Sequence, residues 1–86
     1  MVQVSRFFGI IISMYYKDHN PPHFHAEYDD KQIRIDIKTL QIIRWKLTPK
    51  ATALVMERAL IHQDDLMQNR NNMTQEKELF KIDPLN

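Results

Sequence analysis

Hydrophobic and polar positions along the chain divide it into an opening apolar run, two alternating segments, a short third strand signal and a helical stretch. From Val4 to Tyr16 the sequence is dense in Ile, Phe, Tyr and Val with no helical period. That pattern predicts one strand, or two short ones bent at Gly9, buried on most of its surface. Lys17-Asp18-His19-Asn20-Pro21-Pro22 ends it, because the prolines fix an extended path and Asp18 and Asn20 are turn formers. His23 to Tyr28 and Gln32 to Lys38 then alternate polar and apolar residues around Asp29-Asp30-Lys31, the signature of a hairpin. With Asp30-Lys31 as a two-residue loop, Glu27 faces Arg34, His25 faces Asp36, Phe24 faces Ile37 and His23 faces Lys38. A slip of one residue would set Ile33, Ile35 and Ile37 against charged groups, so the register is fixed to within an even number.

Gln41 to Leu47 predicts a further strand with Ile43, Trp45 and Leu47 inward. Thr48-Pro49 is a helix start, with Thr48 as N-cap and Pro49 in the first turn. Projecting residues 49–73 at 100° each gathers Val55, Met56, Ala59, Leu66, Met67 and Met73 on one stripe, with Gln63 within it and His62 at its margin. Leu54 and Ile61 project to the opposite side, where they are either lone exposed apolar residues or an interface for a partner helix. Asp83-Pro84-Leu85-Asn86 reads as an extended tail. The expected architecture is α+β: a single domain over residues 1–86, with a small, mainly antiparallel sheet of three to four strands within residues 4–47. One long helix, about 49–73, packs on one face.

Composition narrows the classes. A chain of 86 residues buries only about 60% of its unfolded surface, which leaves a thin core and no room for a separate cofactor domain. With no cysteine, disulfides and thiolate zinc sites are excluded. The apolar run near the N-terminus is far short of the roughly 20 residues a spanning helix needs and lacks a cleavage pattern, so a cytoplasmic protein without membrane contact is expected. The net charge of +1 hides an uneven split, +2 over residues 1–47 and −1 over residues 48–86. Any basic surface is therefore local.

Period-two alternation puts His23, His25 and Glu27 on one face of their strand and Arg34, Asp36 and Lys38 on the same face of the next. Directly opposed side chains have Cβ atoms about 5 Å apart. A His25–Asp36 pair would suit general acid–base work, with Asp36 orienting the ring, His23 as second proton carrier and Glu27 completing the ionisable set. Arg34, Lys38, Arg44 and His19 are the candidate substrate contacts, and Lys46 adds charge suited to a phosphate. Three of the four histidines fall within seven residues. They allow a divalent metal site from His19, His23 and His25 with a carboxylate, although no cofactor is required. A solvated polar sheet face carrying ordinary charged pairs is the competing reading. No phosphate loop, nucleophile motif or nucleotide fingerprint is present, so enzyme and binding module both stay open.

The segment Asp18-His19-Asn20-Pro21-Pro22-His23-Phe24-His25-Ala26-Glu27-Tyr28 follows an opening strand that contains Arg6-Phe7 and Gly9-Ile10-Ile11. It resembles the mark of a family of small bacterial proteins known only as a domain of unknown function. The resemblance extends to Leu54-Val55, Glu57, Ala59 and His62 and to Lys81-Ile82-Asp83-Pro84-Leu85. It implies one half of a small two-gene, toxin-antitoxin-like module, with a small protein partner encoded nearby. It implies no activity. Arg58 and Arg70 stand where that family commonly has tryptophan. The readings to be weighed are RNA or phosphodiester chemistry on the polar strand face, a protein-interaction module, and a histidine-based metal site. Nucleic acid, a second copy of the chain and a small protein are all candidate partners.

Overall fold

A computed structural model describes residues 2–15 and 21–75. Five strands, β1 (Val2–Phe7), β2 (Ile10–Met14), β3 (His23–Tyr28), β4 (Lys31–Asp36) and β5 (Ile42–Trp45), are followed by α1 (Pro49–Ile61) and α2 (Gln63–Thr74). The strands form one antiparallel sheet in the order β1-β2-β3-β4-β5, so each pairs with its sequence neighbour.

Two expectations are corrected. The sheet has five strands rather than three or four, because the opening run doubles back at Phe8-Gly9, where Phe7 pairs with Ile10. Both turn residues have positive φ, 49° and 79°, as a two-residue turn matched to the strand twist requires. Glycine takes that conformation freely, and an added Cβ at Gly9 would also meet the Tyr28 ring at 3.4 Å. The single long helix is two helices, broken at His62 (φ −108°, ψ 22°) with no proline or glycine present. A tertiary contact accompanies the break. Leaving the helical path lets the Gln63 amide donate to the carbonyls of Ile37 and Lys38 at 2.7 and 2.9 Å, tying the helix pair to the end of β4. Asp64 and Asp65 in the first turn of α2 favour a new N-terminus there, and Asp65 reaches back to His62 Nδ1 at 3.3 Å.

The helix start is as expected: Thr48 Oγ1 accepts from the Ala51 N–H at 3.2 Å and Pro49 occupies the first turn. Val55, Ala59, Leu66 and Met73 are buried, with Met56 and Met67 packed at the margin. They close over the sheet face formed by Ile10, Ile12, Met14, Phe24, Ala26, Ile33 and Ile35. Each of those residues stands at an inward position of the register, which is why the alternation is so regular. Between Phe24, Ser5 and His62 the packing leaves about 20 Å³. That is one water molecule's worth of room and too small for a ligand. The predicted Pro-Pro loop lies largely outside the described residues, as does the C-terminal tail. Among the described residues no helix is long and apolar enough to cross a membrane.

Candidate functional site

The hairpin loop is Asp29-Asp30 rather than Asp30-Lys31, with Tyr28 paired to Lys31. Asp29 takes the left-handed conformation at φ 57°, which aspartate tolerates better than most residues. The register therefore moves by two residues. Every apolar residue keeps its face, and every polar pair on the other face changes partner. Glu27 lies opposite Gln32 and not Arg34, His25 lies opposite Arg34 and not Asp36, and His23 lies opposite Asp36 and not Lys38. Phe24 pairs with Ile35 rather than Ile37.

The expected His25–Asp36 pair is thus not formed. Asp36 instead holds the next turn, where one carboxylate oxygen accepts the backbone N–H groups of Lys38 (2.7 Å) and Thr39 (3.0 Å). The same turn is closed by Leu40 N–H to the Asp36 carbonyl at 2.8 Å, with Leu40 at φ 58°. Such a side chain shapes the β4–β5 connection. His23 and His25 are buried, and their ring centres are 5.2 Å apart in an edge-on arrangement. His23 Nδ1–H donates to the Pro21 carbonyl at 2.7 Å, and the His25 ring packs against Tyr15 at 4.5 Å. Glu27 is exposed next to the turn. Among the described residues no three metal-ligating side chains converge; His19 lies outside them.

A cross-strand row does form on this face: Ser13, His25, Arg34 and Arg44 are successive partners on β2, β3, β4 and β5. It ends in an unexpected arrangement. Arg34 and Arg44 are directly opposed like charges, and both guanidinium groups lie against the Trp45 ring, at 5.1 and 5.0 Å from its centre. Ile43 and Trp45, expected to face inward, are exposed, as is Ile42; only Leu47 of that set is buried. A register shift between Arg34 and Ile35 skips Ile43. Trp45 has φ 66°, a left-handed conformation that costs a bulky residue about 1–3 kcal/mol and takes its side chain out of the pleat's alternation. Two charged neighbours around the lone tryptophan, Arg44 and Lys46, are the sequence signal that this strand is not a core strand.

The helix layer offers a second surface. Leu54, Arg58 and Ile61 follow i, i+4, i+7 spacing on one flank of α1. Leu54 is half-buried and packs against the core rather than standing free on a back face, whereas Ile61 is 54% exposed. Phe8, at the β1–β2 turn and 68% exposed, lies beside Leu54 and Arg58. The Arg58 guanidinium lies over Phe7 at 4.9 Å and Phe8 at 5.5 Å, so a planar cation covers these rings. Phe8, Ile10, Tyr28, Lys50, Ala51 and Leu54 line a groove of about 420 Å³ beside the start of α1. Sequence reasoning misses Phe8 as a surface anchor, although an apolar residue before the sole glycine of the chain marks a tight turn with its side chain outward.

These elements coincide with a family match: residues 9–70, from the β1–β2 turn to near the end of α2, match a family model described as a domain of unknown function, DUF4160. The chain belongs to the DUF4160 family. No curated protein and no solved structure matches it. The DUF4160 match takes in β2 to β5 and the α1 flank, so both surfaces described above lie mostly within it.

Proposed function

We propose that this DUF4160 chain works by binding, as one half of a small two-component, toxin-antitoxin-like pair, and that the flank of α1 with Phe8 seats its protein partner. The observation that carries this reading is exposed Phe8 on the rim of a groove with room for an apolar side chain, with Ile61 exposed farther along the α1 flank that Leu54 begins. Exposed apolar anchors beside a cleft are what a docking site needs. The groove has a charge preference. Lys50 borders it, and α1 starts there with no acidic residue in its first turn. Glu57 is already engaged by Arg58 at 3.4 Å. The fitting partner is a small protein that offers an apolar anchor flanked by acidic side chains. The gene-pair setting is what the His-Asn-Pro-Pro-His-Phe-His resemblance implies, and the dissolved His25–Asp36 pair favours binding over acid–base chemistry.

Co-expression with the product of the adjacent gene, followed by size-exclusion chromatography, tests the proposal. The wild type should co-elute with it. Ile61→Asp, alone or with Phe8→Ser, should weaken the complex by about 30-fold or more, the effect of losing one well-packed anchor. The circular dichroism of these surface variants should be unchanged. A complex that survives the double substitution, or a wild type that forms none, overturns the reading.

A further inference from the structure

We infer that the β4–β5 edge is a binding site for single-stranded nucleic acid, built on Trp45, Arg34 and Arg44, and separate from the α1 flank. Four observations meet at this point. Opposed like charges on neighbouring strands destabilise a sheet, yet Arg34 and Arg44 are direct partners. Among the described residues the ion pairs join Arg58 to Glu57 and His62 to Asp65, and neither arginine of the edge takes part in one. Arg34 Nε is buried and has no hydrogen-bond partner. The bulge in β4–β5 and the left-handed backbone of Trp45 re-aim side chains at the same place. Bulges and strained backbone of this kind concentrate where a surface is shaped for a ligand.

The ligand that suits this edge carries negative charge and a flat apolar ring. Phosphates satisfy the two guanidinium groups, which present planar arrays of donors suited to bidentate contact. A base extends the stack, because Trp45 is still 41% exposed with both guanidinium groups against its ring. Ile42 and Ile43 supply further exposed apolar surface on the same strand, and Lys46 adds charge along the backbone's path. An unpaired strand has bases free to stack on such a platform, whereas a duplex hides them. An acidic peptide would meet the charges but leave the tryptophan unused.

The chain's single tryptophan makes the site its own reporter. Titration with a short single-stranded RNA of mixed sequence should quench Trp45 fluorescence, and the affinity should fall with salt as phosphates displace their counterions. Anisotropy with a labelled copy of that RNA then reads the variants. Arg44→Glu should weaken binding more than tenfold at low salt. Trp45→Leu should weaken it about tenfold, the loss of one stacked base, while leaving the salt slope in place. Arg44 and Trp45 are exposed, and thermal melts of both variants confirm folding. Single-stranded DNA binding as well as RNA also supports the site. No quenching at low salt, full binding by Arg44→Glu, equal binding by Trp45→Leu, or preference for a duplex or for poly-glutamate each overturns it.

Discussion

Phe24→Ala is expected to cost about 3–5 kcal/mol of folding stability, the upper range for deletion of a buried aromatic side chain. Phe24 is 1% exposed on the central strand, pairs with Ile35, and borders the small cavity beneath α1. Truncation would merge with that gap, and a central strand held by neighbours on both sides has little freedom to collapse into the space. For a chain of this size each kcal/mol moves the melting temperature by roughly 4–8 °C, so the shift should exceed about 12 °C. Phe24→Leu keeps most of the volume and should cost about 1 kcal/mol. Urea unfolding followed by far-ultraviolet circular dichroism measures both. A loss below about 1 kcal/mol for the alanine variant would remove Phe24 from the core.

Gln63→Ala should cost about 1–3 kcal/mol, far more than an amide on a helix surface usually contributes. Its Nε2 group is the donor that two carbonyls just past the end of β4 share. Gln63→Glu sharpens the test. At neutral pH it sets a carboxylate against those two carbonyl oxygens, which raises the folded-state pKa of the new group. Such a group contributes stability below its unfolded value, about 4.3, and loses it as pH rises through the raised folded value. Unfolding of this variant should therefore be more unfavourable at acidic pH than at neutral pH, relative to the wild type. Indifference to both substitutions would mean that the helix break at His62 has another cause.

Legibility in the sequence follows the physics of each element. Which residues face the core on β3 and β4 is readable, because one-residue slips would bury charge. Which residues face one another is not, since shifts of two cost nothing in hydrophobic matching, and the choice falls to the conformation Asp29 accepts. The candidate acid–base pair rests on that undetermined step and fails with it. The helix cap at Thr48 is local chemistry and is readable; the break at His62 comes with bonds from Gln63 to carbonyls 25 and 26 residues before it and is not. Trp45 is misplaced by pattern reading because an aromatic residue in an apolar strand predicts burial, whereas a bulge and a left-handed residue turn the strand's pattern outward. Arg58 over Phe7 and Phe8 is likewise a tertiary contact that no local pattern announces.

The strand order has a consequence for how the chain comes off the ribosome. With every strand paired to its sequence neighbour, the sheet can grow hairpin by hairpin as it emerges, and its contacts are local enough for fast pairing. Both helices follow the last strand. At about 5–20 residues per second their arrival lags by a few seconds, during which the inward face of the sheet has no cover. A nascent chain of this design is exposed to misassociation in that interval.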